Sequence, residues 1–249
     1  MTALTLAAAQ TISIAGDVQA NIQRHLAFMQ AAAEQSVQLL VFPELSLTGY
    51  EPSLAAELAI APDDALLAPL REMARELRLT AVVGMPIRLA PESGVLIGAL
   101  VLGADGSLGV YTKKHLHPGE EVAFVAGQGG VALDWADDRI ALAVCADFSH
   151  ASHPRQAAEA GATVYAAGVL ISEAGYAPDS ALLQGYAAEH GLLVLMANHG
   201  GASGGWNCAG RSAIWANDGS LLAAVPGVGD ALVIAHREGG HWAGHVVAL

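Results

Sequence analysis

The segment IALAVCAD, at residues 140–147, carries a thiol from an apolar run straight into a turn. A short apolar run that ends at polar residues is typical of a buried strand. Cys145 therefore lies where a strand ends, and from that place a side chain can point into a pocket as a nucleophile. The segment predicts one strand of a buried sheet and one candidate catalytic residue.

Two other segments end in the same way. LLVFPE, at residues 39–44, leads from a strand-like run to Glu44, and VYTK, at residues 110–113, leads to Lys113. If the three strand ends converge, a carboxylate, an ammonium and a thiol meet in one pocket. A nearby ammonium lowers the pKa of a cysteine from its ordinary value of about 8.5, and a carboxylate can take up the proton. Each side chain also fits an ordinary role, as a core cysteine, a loop acid or a solvated lysine.

The rest of the chain mixes helical and strand-like patterns. Apolar residues recur every three or four positions over 18–33, behind a cap at Asp17, and again over 66–77. Turn dipeptides at 105–106 and 218–219 join strand-like runs into antiparallel hairpins. Further elements are predicted as a strand over 1–6, a helix over 155–160 that opens at Pro154, and a helix over 180–190. The pattern predicts a mixed α/β (α+β) fold in which two mixed sheets pack face to face with helices outside.

Composition limits the functions that the chain can have. The net charge of -13 repels phosphate backbones and anionic lipid surfaces, so we expect no nucleic-acid or membrane partner. The apolar run at 95–102 is too short to span a bilayer, and no export signal precedes the first strand. Cys145 and Cys208 are therefore expected to be thiols in a reducing cytoplasm. No linker or repeat divides the sequence, which predicts one domain over residues 1–249.

Three ordered motifs carry a resemblance to a known family. FPELSLTGY at 42–50, YTKKHL at 111–116 and CAD at 145–147 resemble, in that order and at suitable spacings, the signature regions of the nitrilase superfamily, the carbon-nitrogen hydrolases. The segment GRSAI at 210–214 also resembles a late family segment. The resemblance covers nearly the whole chain.

The resemblance implies a four-layer α-β-β-α sandwich that hydrolyses non-peptide carbon-nitrogen bonds without a metal or another cofactor. It implies that Glu44 is the general base, Lys113 the oxyanion stabiliser and Cys145 the nucleophile. A second glutamate usually follows the lysine, ahead of an aromatic residue and a glycine. Glu120 fits that spacing better than the adjacent Glu121.

The chain departs from the family pattern at one position, and the residues at another narrow the expected class of substrate. Many members have an arginine where this chain has Ser149, so a substrate contact made by that arginine is absent or replaced. Members that hydrolyse nitriles typically have an aromatic residue and an acid directly after the cysteine, so the resemblance, with Ala146 and Asp147 at these positions, implies a small amide as the substrate. The Ala146 backbone N–H is expected to assist Lys113 at the oxyanion. Three aromatic residues are predicted to line the pocket, which are Tyr50, Phe148 and Trp206. The alternative role of each is packing in the core or at the rim.

Two other functions remain open on the sequence alone. Because Ser149 replaces the arginine, the chain could be a catalytically silent binding or scaffold protein with the same fold. A metal-dependent hydrolase would use the C-terminal histidines, but their spacing lacks the acid or cysteine of a zinc site, and surface roles suit them better. These histidines are His236, His241 and His245.

The few charged residues, 14% of the chain, leave apolar surface to bury between subunits. The resemblance implies a homodimer, or a higher homo-oligomer, that pairs through outer helices. The candidate helices are the two that follow Cys145. They carry small or apolar residues, which include Ala157, Ala158, Leu182, Leu183 and Ala187.

Overall fold

Two mixed sheets form the centre of the computed structural model, which describes residues 3–130 and 132–249. The strands are β1 (Leu4–Gln10), β2 (Leu39–Val41), β3 (Thr80–Ile87), β4 (Leu96–Leu102), β5 (Leu108–Thr112), β6 (Leu133–Trp135), β7 (Asp138–Val144), β8 (Val164–Val169), β9 (Leu193–Asn198), β10 (Ala213–Trp215), β11 (Leu221–Ala224), β12 (Ala231–Glu238) and β13 (His241–Ala248). The helices are α1 (Val18–Glu34), α2 (Ala55–Leu58), α3 (Ala68–Glu76), α4 (Ser152–Glu159) and α5 (Tyr176–His190).

The strand order separates the two halves of the chain. The first sheet has the order β13-β12-β1-β2-β3-β4-β5, and the second has the order β11-β10-β9-β8-β7-β6. Parallel pairs occupy the centre of each sheet, β1-β2-β3 in the first and β7-β8-β9 in the second. Parallel strands have their carboxyl ends at the same edge of a sheet, so β2 ends beside β1 and β3 in the first sheet, and β7 ends beside β8 and β9 in the second.

Alternating side chains assign the layers. Along β1, Leu4, Leu6 and Ala8 join a core that also contains residues of the second sheet, such as Leu142. Ala7 and Ala9 face a second core under α1 and α3. A third core lies between the second sheet and α4 and α5. The predicted four-layer α-β-β-α sandwich is confirmed.

The structure confirms the strongest patterns in the sequence. Helix α1 begins behind Asp17, whose side chain accepts a hydrogen bond from Ala20 N at 3.0 Å. Strands β4 and β5 form an antiparallel hairpin at the first turn dipeptide, and β10 and β11 form another at the second. Cys145 and Cys208 are free thiols. The predicted first strand begins at Leu4 within the described residues and runs on to Gln10, whereas Met1 and Thr2 lie outside those residues.

Two helices begin earlier than the sequence predicts. Helix α4 begins at Ser152 and makes Pro154 its third residue. Helix α5 begins at Tyr176, four residues before the predicted start, and takes Pro178 into its first turn. The N–H groups of the first helical turn have no acceptor within the helix, so a proline, which lacks an N–H, is tolerated throughout that turn. A proline therefore does not mark the first residue of a helix alone.

The C-terminal hairpin was not predicted. Strands β12 and β13 pair in antiparallel fashion, and β12 extends the first sheet beside β1. His236 and His245 lie on this hairpin with ring centroids 6.2 Å apart. The described residues contain no group of three or more histidine, cysteine or acidic side chains placed to hold a metal ion. Nor does any helix in the described residues have the length and apolar character needed to cross a membrane.

Candidate active site

Lys113 lies between two carboxylates in the interior. Its Nζ is 2.6 Å from Glu44 Oε1 and 2.7 Å from Glu120 Oε1, and all three side chains are buried. The predicted choice of Glu120 over Glu121 matches this arrangement. Glu121 is exposed and accepts a hydrogen bond from Gly119 N at 2.7 Å instead.

Glu120 is held by two further donors. Tyr50 donates its hydroxyl to Oε1 at 2.8 Å, and the His117 backbone N–H donates to Oε2 at 2.8 Å. Burial and the neighbouring carboxylates raise the pKa of Tyr50 well above its usual range, so its hydroxyl keeps its proton. Glu120 is thus fixed as an acceptor, and it orients the Lys113 ammonium.

Close backbone packing fixes the position of Glu44. A Cβ added to Gly168 on β8 would lie 2.6 Å from Phe42 O, and one added to Gly84 on β3 would lie 2.3 Å from Leu45 N. Only glycine permits so close an approach of strand and loop. His199 also binds the Glu44 carbonyl oxygen through Nε2 at 2.7 Å.

Cys145 occupies a strained turn directly after β7. Its φ is 43°, in the left-handed region that side chains other than glycine rarely adopt. A short 3-10 turn begins at this residue, and Sγ lies 3.5 Å from Leu170 O. The strain positions the sulfur toward the pocket, as expected for a nucleophile held at the end of a strand.

Asp147 ties the cysteine turn to the lysine segment. Its Oδ2 accepts hydrogen bonds from Val144 N at 3.0 Å and from the Tyr111 hydroxyl at 2.8 Å. Its Oδ1 accepts from Lys114 N at 3.0 Å and His115 N at 2.9 Å. A fully buried carboxylate with four donors fixes the relative position of two segments that are distant in sequence.

Several groups act on the pKa of the Cys145 thiol. Burial, the carboxylate of Glu44 and, to a smaller extent, Glu120 raise this pKa well above its usual range, although Lys113 acts in the opposite direction. Lys113 thus acts in the direction expected from the sequence, but burial and the two carboxylates outweigh it. The residue at rest is a thiol, whose proton a carboxylate must take up during attack.

Glu44 is able to accept a proton. Burial raises its pKa to about 7, with Lys113 opposing the shift and Glu120 adding to it. Its Oε2 has no hydrogen-bond partner among the described residues, while the Cys145 thiol is close enough to act on its pKa as a hydrogen-bond donor. The same carboxylates raise the pKa of Lys113 despite its burial, so the lysine remains an ammonium.

A cavity of about 230 Å³ opens onto Glu44, Glu120 and Cys145. The three predicted pocket residues line it, and so does Ala146, the predicted oxyanion donor. Ala146 and Phe148 follow the cysteine, and Tyr50 ends the glutamate segment, whereas Trp206 is 44% exposed and lies in the glycine-rich loop at 199–210. The structure thus brings every predicted site residue to one place.

The family of the chain follows from its similarity to known proteins. The family model for carbon-nitrogen hydrolases matches residues 5–240. The chain belongs to the carbon-nitrogen hydrolase family. Members hydrolyse carbon-nitrogen bonds other than peptide bonds, which confirms the enzyme class expected from the sequence.

Relatives of this carbon-nitrogen hydrolase include amidases. It is 31% identical to an omega-amidase (YafV) of Yersinia enterocolitica over 53% of this chain and 50% of that protein, so the match spans half of the relative's length. It is 29% identical to the hydrolase in the pqqF 5' region of Pseudomonas protegens over 88% of this chain and 77% of that protein.

Solved structures of an amidase from Nesterenkonia sp. AN1 are similar to this chain throughout. One variant of that amidase, with covalent addition of the acetamide moiety of fluoroacetamide at its active-site cysteine, has a TM-score of 0.86 and 29% identity, covering 94% of this chain and 90% of that one. Another variant, in complex with butyramide, has a TM-score of 0.86 and 28% identity, covering 95% and 92%.

The sequence did not predict several residues at the site of this carbon-nitrogen hydrolase. Nothing in the sequence pattern points to His117, Ser172 or Asp179, which line the cavity from loops and from the first turn of α5. His199 has a weak signal, because it begins the glycine-rich stretch at 199–210, whose composition indicates a loop near a site. Asp147 is part of the third motif, but three of its four hydrogen bonds come from segments that are distant in sequence.

Proposed function

We propose that this protein hydrolyses a small non-peptide amide through an acyl-thioester on Cys145. The observation that carries the proposal is the Lys113 ammonium, held at 2.6 and 2.7 Å by two buried carboxylates at a cavity that also contains the cysteine sulfur. Burying an acid, a cation and a thiol together costs desolvation free energy, and the fold does not need them to lie side by side. This combination therefore favours a catalytic role.

The proton path follows from the pKa values. Above pH 7, Glu44 is mainly a carboxylate and Cys145 is a thiol. As sulfur attacks the amide carbonyl carbon, Glu44 takes the thiol proton and the C–S bond forms. The carbonyl oxygen becomes an oxyanion, which the Lys113 ammonium and the Ala146 N–H stabilise. Glu44 then gives the proton to the leaving nitrogen as the C–N bond breaks.

Water completes the cycle. Glu44 takes a proton from the water that attacks the thioester and gives it to the sulfur as the C–S bond breaks, which releases a carboxylic acid and restores the free thiol. Glu120 stays an acceptor throughout, because it keeps Lys113 and the Tyr50 hydroxyl in place. A butyramide complex and an acetamide adduct at the cysteine of similar structures support a small amide as the substrate.

Ammonia release from a panel of small amides tests the proposal. We expect turnover of aliphatic amides by the unaltered protein, with the corresponding nitriles far slower. Cys145→Ala serves as the blank. Equal ammonia release by this variant would reject Cys145 as the nucleophile, and no release from any amide would favour the catalytically silent alternative.

Assembly and location are part of the same proposal. We propose one domain that forms a homodimer in the cytoplasm through α4 and α5. The structure changes the residues expected at that interface, because Leu183 and Ala187 are buried against their own sheet. Leu182, at 43% exposure, faces outward instead. Light scattering should report a dimer, and Leu182→Arg should shift it toward the monomer, whereas an unaltered protein that stays monomeric at micromolar concentration would contradict the assembly.

A further inference from the structure

Asp179 puts a third negative charge on the wall of the cavity. It lies in the first turn of α5, where its N–H donates to Gly175 O at 3.1 Å, and its half-buried side chain lines the cavity. Burial raises the pKa of this carboxyl, which His117 partly opposes. Among the described residues, no ion-pair or hydrogen-bond partner is found for its carboxylate oxygens.

The charges around the cavity do not balance. Glu44, Glu120 and Asp179 line it, while the Lys113 ammonium is already enclosed by the first two. Besides the enclosed Lys113, no lysine or arginine side chain of the described residues lies at the cavity, and His117 is the one other basic residue there. Ser149, which also lines it, adds no charge. An anionic substrate would meet an excess of negative charge in a partly desolvated space.

The start of α5 does not offset this excess. A helix N-terminus is equivalent to about half a positive charge and attracts anions. Gly175, the residue before α5, lines the cavity, so the terminus faces the same space. Asp179 already places a full carboxylate there: a Cβ added to Gly175 would lie 3.1 Å from Asp179 Oδ2. The position that could have bound a substrate carboxylate is therefore occupied by one from the protein.

We propose that Asp179 is a specificity-determining residue, through which the cavity discriminates against amides that carry a carboxylate and favours amides whose far end is uncharged or bears an ammonium group. This inference rests on the proposed amide hydrolysis. The exposed Trp206 ring at the same cavity offers an aromatic face that suits apolar and cationic groups alike. The ω-amide of a dicarboxylic acid, which carries a carboxylate at its other end, is a poor fit.

Three amides of similar length test the inference. Butyramide is neutral, 4-aminobutanamide is cationic and succinamate is anionic at pH 8. For the unaltered protein we expect kcat/KM for succinamate to be at least tenfold below that for butyramide, and kcat/KM for 4-aminobutanamide to equal or exceed it. Succinamate turnover as efficient as butyramide turnover would overturn the inference and leave the amide hydrolase intact.

Two isosteric variants separate a local charge from the net charge. Asp179→Asn should raise the succinamate-to-butyramide ratio of kcat/KM at least fivefold and lower the ratio for 4-aminobutanamide. Glu189→Gln removes the same charge from the other end of α5, where the residue is exposed and outside the cavity, and should leave both ratios unchanged. Ratios that do not move in Asp179→Asn, or that move equally in Glu189→Gln, would show that Asp179 sets no specificity.

Alkylation of Cys145 decides the point even if no amide is hydrolysed. The rates with iodoacetamide, which is neutral, and iodoacetate, which is anionic, are measured at the Cys145 peptide and divided by the rates with a free thiol. Asp179→Asn should raise the iodoacetate-to-iodoacetamide ratio at least threefold, and Glu189→Gln should not. Absence of turnover would reject the proposed function, whereas an alkylation ratio unchanged by Asp179→Asn would reject this inference.

Discussion

Glu44 and Asp147 are two buried carboxylates beside the same cysteine, and they differ in how their oxygens are used. Asp147 accepts four hydrogen bonds, which leaves neither oxygen free. Glu44 accepts from Lys113 through one oxygen, and the other has no partner among the described residues. The satisfied carboxylate holds two segments together, whereas the unsatisfied one can take up a proton. Hydrogen-bond satisfaction therefore separates the structural acid from the candidate base.

The largest expected effect comes from Glu44→Gln. Glutamine keeps the shape and removes the base, so we expect kcat to fall roughly 100- to 10,000-fold. The free energy of unfolding should change by less than about 1 kcal/mol, because Glu120 still pairs with Lys113. Steady-state amide hydrolysis and urea unfolding measure the two quantities. A variant with near-normal kcat would remove the distinction between the two acids.

The pH profile is the next test of Glu44. Its raised pKa of about 7 means that the base form is lost as pH falls through that value. We expect kcat/KM to be level above pH 7 and to fall about tenfold per pH unit well below it. The profile is measured with a neutral amide, so that substrate ionisation does not contribute. A level profile down to pH 5 would contradict the proton-acceptor role.

The neighbouring pair Glu120 and Glu121 gives a matched comparison. Glu120→Gln removes one of the two charges that hold the Lys113 ammonium and should lower kcat at least tenfold. Glu121→Gln alters an exposed side chain that does not contact Lys113 and should leave kcat within twofold. Equal losses of kcat in the two variants would show that the contact between Glu120 and Lys113 does not contribute to catalysis.

Asp147→Asn should have the opposite signature to Glu44→Gln. The amide group would put a donor toward Val144 N–H, and a buried donor left without an acceptor costs about 1–3 kcal/mol of unfolding free energy. Urea unfolding measures this loss. Tyr111→Phe removes one of the four donors and also the contact of that hydroxyl with His153 Nε2 at 2.9 Å, and it should cost about 1–3 kcal/mol. If Asp147→Asn were as stable as the unaltered protein, Asp147 would not be the clamp that its contacts indicate.

The sequence predicted those site residues that follow a strand-like run and belong to an ordered motif. Glu44, Lys113 and Cys145 each follow a strand-like run within a motif, so both their identity and their place at strand ends were readable. The preference for Glu120 also came from motif spacing. The net direction of the Cys145 pKa shift could not be predicted, because burial and two carboxylates oppose the effect of Lys113, and these depend on which side chains share the buried space.

The rest of the fold shows the same limit. The helical period over α1 and the turn dipeptides of the hairpins are local signals, and both were read correctly. Strand β13 was missed because it is largely exposed and lacks a clear apolar alternation, whereas β12 contains a buried apolar run whose signal was overlooked. Leu183 was expected at a subunit interface, but a local pattern cannot tell which face of a helix packs on its own sheet.

The sequence by itself determined the two-sheet architecture and predicted the candidate nucleophile with its acid and cation, because periodicity, turn residues and ordered motifs act over short distances. Tertiary structure alone decided that Asp147 clamps the cysteine turn and that Asp179 and His117 share the cavity with Glu44. It also decided the protonation states, since burial and neighbouring charges set the pKa values of Glu44 and Cys145. These properties arise from desolvation and from contacts between distant segments, which no local pattern encodes.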